Sequence, residues 1–142
     1  MSLNENTSTG KLAMEPSLLI VDDAQMMRLK IERIAKAAGW KRIVQTSDGA
    51  EAVELYRENP FDLVTMDIVM GGIDGLETLM LIREFDSAAN VVMVSAINQK
   101  SKLIACINAG ALDFIVKPFD AQRFEEFLAK RYQVALERVA DR

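Results

Sequence analysis

The sequence predicts an α/β domain in which a parallel sheet is covered by helices on both faces. Short apolar runs alternate along the chain with longer segments whose apolar residues recur at helical spacing. The short runs are apolar almost throughout, which is typical of parallel strands that are buried on both sides. Because right-handed crossovers join such strands, the alternation predicts a doubly wound (βα)₅ fold.

The strands are expected at five short segments whose apolar residues are continuous or nearly so. They are Ser17–Val21, Arg42–Thr46, Asp62–Met66, Val91–Val94 and Leu112–Val116. We expect the flavodoxin-like order 2-1-3-4-5 in one five-stranded sheet, in which the first strand lies between the second and the third.

Each helix is expected from residues that recur on one of its faces. These residues are Met27, Ile31, Ile34 and Ala38 for the first helix, Ala52, Leu55 and Tyr56 for the second, Leu76, Leu79, Met80 and Arg83 for the third, Leu103, Ile107 and Ala109 for the fourth, and Phe124, Phe127, Leu128, Tyr132 and Ala135 for the last. Gly39 and Gly110 stand where helices should end, and Asp48 can cap the second helix.

Composition narrows the possible chemistry. The chain has 142 residues, a net charge of −4, one cysteine and no histidine. Without histidine, Ser-His-Asp and Cys-His hydrolases are excluded. Cys106 lies in an apolar helical pattern and is expected to be a core residue. The acidic balance and the lack of an 18-residue apolar stretch predict no direct binding to nucleic acid and no membrane span, and by default a cytoplasmic location. Residues 1–16 are mostly polar and are expected to be a disordered lead-in to a domain over 17–142.

Three carboxylates follow neighbouring strands of the predicted sheet. Asp22 and Asp23 come directly after the first strand, and Asp67 comes directly after the third. Since the carboxyl ends of these strands meet at one edge, the charges would repel one another unless a cation lay among them. An all-oxygen ligand set favours Mg²⁺ over Zn²⁺. The fourth and fifth strands add Ser95 and Lys117 to this edge. Taken singly, each of these residues could be a helix cap or a surface lysine.

In combination, these residues resemble the receiver domains of two-component response regulators, the CheY-like superfamily. The matching segments are Val21–Asp23, Met66–Met70, Asp74–Gly75, Val94–Ala96 and Phe114–Phe119. The resemblance spans residues 17 to about 135, and each motif stands at a strand end.

The resemblance implies a role for each matching residue. Asp67 would be the phosphoacceptor, and Mg²⁺ would be held by Asp22, Asp23, Asp67 and the backbone carbonyl of Val69. Lys117 would pair with the phosphoryl group.

Ser95 would donate a hydrogen bond to the phosphoryl group and, with Phe114 at the family's aromatic switch position, would change the face formed by the fourth helix, fifth strand and fifth helix. The Lys117–Pro118 peptide would be cis.

Two departures from the family pattern lead to expectations of their own. Gly71 stands where the family usually has a proline and is followed by Gly72, and the two glycines predict a mobile loop beside the acceptor and weaker Mg²⁺ binding. Val69 and Ile97 flank the expected path of hydrolytic water and offer it no polar group, which predicts slow self-dephosphorylation.

The implied function is signalling rather than turnover of a metabolite. A sensor histidine kinase would supply the phosphoryl group, and the reader would be the flagellar motor switch, another protein, or an effector domain outside this chain; self-association on phosphorylation stays open. An Asp-nucleophile phosphatase would need a second aspartate at Val69, and an FMN-binding protein would need a Ser/Thr-rich loop at Asp22–Ala24.

Overall fold

The computed structural model describes residues 15–141, and within them five strands alternate with five helices. The strands are β1 (Ser17–Val21), β2 (Arg42–Thr46), β3 (Leu63–Met66), β4 (Val91–Ala96) and β5 (Asp113–Lys117). The helices are α1 (Gln25–Ala37), α2 (Gly49–Glu58), α3 (Gly75–Phe85), α4 (Lys100–Asn108) and α5 (Ala121–Ala140), with a 3₁₀ turn at Ile97–Gln99 before α4.

The strands form one parallel sheet in the order β2-β1-β3-β4-β5, so the predicted fold class and strand order are confirmed. Val21 at the end of β1 is in register with Met66 at the end of β3 and with Thr46 at the end of β2. The next residues of β1 and β3 therefore leave the sheet side by side.

Helices cover both faces of the sheet, and each face has its own apolar core. On one face α1 and α5 pack against Leu18, Ile20, Leu63, Val92 and Val94. On the other face α2, α3 and α4 pack against Leu19, Val21, Val64, Met66, Val91 and Met93. Alternate residues of each strand point to opposite faces, which is why continuously apolar strands are needed.

The expected bounds of β1 and β2 are confirmed, whereas those of β3, β4 and β5 differ from the observed ones by one or two residues. β4 continues to Ala96 because Ser95 and Ala96 pair with Val116 and Lys117 of β5. Helix α4 differs from the prediction in which of its residues face the core. Its fully buried cysteine, Cys106, belongs to the core as expected, whereas Ile107 is exposed.

The predicted helix boundaries have the expected local chemistry. Gly39 follows α1 with φ 116° and Gly110 follows α4 with φ 103°, backbone conformations that favour glycine. The Asp48 carboxylate accepts a hydrogen bond from the Ala50 amide at 3.1 Å and caps α2. The Lys117–Pro118 peptide is cis, as the resemblance implied.

Most of the expected lead-in lies outside the described residues. At its end, the Glu15 carboxylate accepts a hydrogen bond from the Tyr132 hydroxyl at 3.1 Å and lies 3.8 Å from the Lys41 ammonium. Glu15 thus contacts the folded domain. Among residues 15–141, no helix has the length and apolarity needed to span a membrane.

Candidate functional site

Three carboxylates meet at the carboxyl end of the sheet. Asp22 and Asp23 follow β1 and Asp67 follows β3, and one oxygen of each lies within 4.8 Å of the others. Asp22 is 1 % exposed and Asp67 8 %, whereas Asp23 is open to solvent. The site is therefore a buried acidic pair with a third carboxylate at its mouth.

Both the backbone and the carboxylate of Asp22 are held by hydrogen bonds. Its carboxylate accepts hydrogen bonds from the Ala24 amide at 2.9 Å and from the Lys117 ammonium at 2.8 Å. Its backbone amide donates to the Thr46 carbonyl at 3.1 Å, and its own carbonyl accepts from the Arg28 guanidinium at 2.8 Å. These bonds fix both the backbone and the carboxylate of the residue.

The Lys117 ammonium lies between the two buried carboxylates. It is 2.8 Å from an Asp22 oxygen and 3.6 Å from an Asp67 oxygen. Placing the lysine at the end of β5 brings it to the same edge as the aspartates that follow β1 and β3. One positive charge thus partly compensates three negative ones.

Asp67 remains electrostatically strained despite this lysine. Its pKa is raised to about 6, chiefly by burial and also by repulsion from Asp22 and Asp23. The Lys117 charge and a hydrogen bond from the Ile68 amide act in the opposite direction. A further cation near this carboxylate would stabilise its ionised form.

The donor set fits Mg²⁺ rather than a softer metal. All three side chains offer carboxylate oxygens, and the excess negative charge of the cluster is what a hard divalent cation neutralises. The carbonyl of Val69 stays a predicted ligand. The side chain of Val69 points outward and is 51 % exposed.

Ser95 and Phe114 lie on the β4–β5 side of the site. The Ser95 hydroxyl is buried, and among residues 15–141 it has no hydrogen-bond partner. Phe114 is 46 % exposed and borders an apolar groove of about 340 Å³ between α4 and β5. The groove is lined by Lys100, Leu103, Ile104, Ile107, Asn108, Phe114 and Val116.

The loop after Asp67 is held at one end by a close glycine contact. A Cβ on Gly75 would come within 2.1 Å of the Asp67 carbonyl oxygen, and the Gly75 amide donates to the Ile68 carbonyl at 2.7 Å. Gly71 is surrounded by open space, and Gly72 has φ 78°. The mobility expected at these two glycines stays a prediction.

Of the residues that the sequence analysis singled out, the structure brings Asp22, Asp23, Asp67 and Lys117 within a few ångströms of one another. The side chain of Ile97 lies outside the described part of the chain. Sequence reasoning missed Arg28, which binds the Asp22 carbonyl. Its only signal in the sequence is a basic residue at the start of α1, five positions after Asp23.

Comparison with known proteins agrees with this geometry. Residues 18–129 match the family model described as response regulator receiver domain. The chain is 47 % identical over 113 residues to the chemotaxis protein CheY of Bacillus subtilis, covering 80 % of this chain and 94 % of that protein.

Two solved structures show the same fold. The receiver domain of NtrX from Brucella abortus has a TM-score of 0.74 at 32 % identity and covers 84 % of this chain and 98 % of its own. CheY in a CheX–CheY–BeF₃–Mg²⁺ complex from Borrelia burgdorferi has a TM-score of 0.73 at 35 % identity, covering 84 % and 87 %.

Proposed function

The chain belongs to the response regulator receiver domain family, whose general function is phosphorelay signalling, and on that premise we propose that Asp67 accepts a phosphoryl group in a Mg²⁺-dependent reaction. One observation carries the proposal. The Lys117 ammonium lies 2.8 Å from Asp22 and 3.6 Å from Asp67 in a pocket that holds three carboxylates. Such a pocket can bind a cation and an anionic group together.

Asp22, Asp23, Asp67 and the Val69 carbonyl would hold the Mg²⁺ ion. When bound, the ion neutralises charge on the phosphoryl oxygens and on the acceptor carboxylate. Asp23 is the exposed member of the set and Asp22 is already held by Ala24 and Lys117, so we assign Asp23 the direct contact and Asp22 a direct or water-mediated one.

The reaction is displacement at phosphorus. A carboxylate oxygen of Asp67 forms a bond to phosphorus, while the bond from phosphorus to the donor nitrogen of a kinase phosphohistidine breaks. The leaving imidazole keeps that electron pair and takes its proton from solvent. Lys117 would shift toward a phosphoryl oxygen, and the unpaired Ser95 hydroxyl would donate to another.

Switching would follow from the movement of Ser95. The hydroxyl would leave its buried position toward the phosphoryl group, and the half-exposed ring of Phe114 would turn inward. Because Phe114 lines the α4–β5 groove, its rotation would reshape the face formed by α4, β5 and α5. Phenylalanine has no hydroxyl, so this coupling would rest on packing.

We propose a sensor histidine kinase as the donor and a cytoplasmic protein as the reader of this face. Several relatives are named as chemotaxis proteins, which supports the flagellar motor switch as that reader. An effector domain elsewhere, or a second copy of the chain bound through α4, β5 and α5, remains the alternative. The receiver would catalyse its own phosphorylation and dephosphorylation only.

The test is incubation with acetyl phosphate, with and without Mg²⁺, followed by intact mass measurement. We expect the wild-type chain to gain the mass of one phosphoryl group only when Mg²⁺ is present. Asp67→Ala should gain none. Modification that persists in Asp67→Ala, or that does not need Mg²⁺, would contradict the proposal.

A further inference from the structure

Arg28 joins α1 to the turn that carries the first two carboxylates. Its guanidinium donates a 2.8 Å hydrogen bond to the backbone carbonyl of Asp22, six residues earlier. The bond is partly buried, and it spans the turn in which Asp23 stands. The backbone on both sides of Asp23 is therefore held from α1.

The beginning of α1 has few of the usual stabilising contacts. Its N-cap residue is Ala24, which offers no side-chain cap, and no acidic residue lies in its first turn. The Asp22 carboxylate instead accepts from the Ala24 amide. Without the Arg28 side chain, the Asp22 carbonyl would lose its bond to α1, although the Asp22 amide would still donate to the Thr46 carbonyl and the Asp22 carboxylate would still accept from Ala24 and Lys117.

Arg28 stands where its charge is otherwise unfavourable. A cation within the first turns of a helix opposes the helix dipole. Helical side chains lean back toward the N-terminus, which is why the guanidinium reaches the Asp22 carbonyl. Among residues 15–141, the exposed Arg33, about one and a half turns further along α1, makes no such bond to the Asp22–Ala24 turn.

From this geometry we propose that Arg28 is a positioning residue for the metal site: its bond to the Asp22 carbonyl fixes the Asp22–Asp23 turn, so that the exposed Asp23 carboxylate faces the cation. This proposal rests on the Mg²⁺ binding argued above. It assigns Arg28 no contact with the metal or the phosphoryl group.

A positioning role and a purely electrostatic role predict opposite changes in Mg²⁺ affinity when the Arg28 side chain is removed. Loss of a nearby positive charge should strengthen the binding of a divalent cation by about twofold, because water and salt screen the two charges. Loss of positioning should weaken the binding of the cation, because groups that orient metal ligands without touching the metal change the affinity by about tenfold. The sign of the change therefore distinguishes the two effects.

The experiment is a Mg²⁺ titration of the unphosphorylated protein, followed by the amide NMR signals of residues 22–24 and 67–69. We expect Arg28→Met to bind Mg²⁺ about tenfold more weakly than wild type. The matched control, Arg33→Met, removes the same charge from the same helix and should bind within about twofold of wild type. Arg28→Lys, which keeps the charge but has a shorter donor, should lie between wild type and Arg28→Met. If Arg28→Met does not fold, Arg28→Lys decides.

Each result has a definite meaning. Weaker Mg²⁺ binding in Arg28→Met and Arg28→Lys, but not in Arg33→Met, supports the proposal. Unchanged or tighter binding in the Arg28 variants overturns it while the proposed function stands. Failure of the wild-type chain to bind Mg²⁺ overturns the metal site, and with it this inference.

Discussion

Lys117 lies beside the carboxylates that would bind the divalent cation. Its ammonium is closer to Asp22, at 2.8 Å, than to Asp67, at 3.6 Å. The lysine therefore acts as a counter-ion for the buried pair. A bound Mg²⁺ would compete with it for Asp22 and release it toward the phosphoryl group.

Replacing this lysine should separate metal binding from phosphoryl transfer. We expect Lys117→Met to bind Mg²⁺ about tenfold more tightly, because one competing charge has been removed next to the carboxylates. The same variant should be phosphorylated by acetyl phosphate much more slowly, because nothing then pairs with the phosphoryl oxygen. Calorimetric Mg²⁺ titration and timed intact mass measure the two effects.

The control for that pair of measurements is Lys41→Met, since Lys41 lies at the other end of β2 from the site. It should leave both quantities at the wild-type level. Unchanged or weaker Mg²⁺ binding by Lys117→Met would show that the lysine does not compete for Asp22.

Thr65 is a buried polar residue outside the site. It lies in β3 between Ile20 and Val92, it is 1 % exposed, and its hydroxyl has no hydrogen-bond partner among residues 15–141. Thr65→Val should raise the free energy of unfolding by about 1 kcal/mol, because it removes an unpaired hydroxyl and keeps a β-branched side chain. Urea denaturation measures the difference.

A second buried threonine supplies the comparison. The Thr46 hydroxyl donates to the Glu51 carboxylate and accepts from the Asp48 amide at 3.3 Å. Thr46→Val should therefore lower the free energy of unfolding by about 1 kcal/mol. If both variants shift stability in the same direction, hydroxyl pairing is not what decides the sign.

At the level of secondary structure, apolar patterning predicted most of the fold. The strands could be located because residues buried on both faces leave nearly continuous apolar runs, and the order 2-1-3-4-5 is the one expected of a flavodoxin-like doubly wound sheet. Patterning could not predict that Ile107 is exposed, because one apolar face of α4 is divided between the core and the α4–β5 groove.

The site was predictable in its residues but not in its contacts. Asp22, Asp23, Asp67 and Lys117 could be placed together because strand order alone brings strand ends to one edge. The preference of Lys117 for Asp22, and the bond from Arg28, depend on side-chain directions that are set by tertiary packing. Sequence spacing carries no such information.

The start of α3 depends on a single glycine. Gly75→Ala would place a methyl group 2.1 Å from the Asp67 carbonyl oxygen and 2.7 Å from the Ile68 Cα. Either α3 or the loop between Asp67 and Gly75, called here the acceptor loop, would then have to move. We expect a loss of about 2–4 kcal/mol in the free energy of unfolding and slower phosphorylation of Asp67. Urea denaturation and timed modification by acetyl phosphate test both.

Gly71 in the same loop provides the matched control, because a Cβ there would meet nothing within 4 Å. Gly71→Ala should remain within about 0.5 kcal/mol of wild type. Wild-type stability in Gly75→Ala would show that the close approach of α3 to the acceptor loop is not required.

For the whole molecule, the acidic site should make stability depend on pH and, if it binds Mg²⁺ as proposed, on metal. The pKa of Asp67 is raised from 3.8 to about 6, chiefly by burial, so the folded chain holds this proton to higher pH than the unfolded chain does. The free energy of unfolding of the metal-free protein should therefore fall as the pH rises from about 4 to about 6. Above that window the full cost of ionised Asp67 is present.

Asp67→Asn should remove this cost. At pH 8 in the presence of a chelator, we expect the variant to exceed wild type by about 1–3 kcal/mol in free energy of unfolding, with the difference vanishing near pH 4. Excess Mg²⁺ should reverse the trend, because the ion binds the folded wild-type site and stabilises it by mass action, whereas the neutral amide offers a weaker ligand. Thermal unfolding at several pH values, with chelator and with Mg²⁺, measures both effects. If the variant is no more stable than wild type at pH 8 without metal, Lys117 already neutralises the buried pair. Relief of repulsion between the carboxylates would then contribute nothing to the free energy of metal binding.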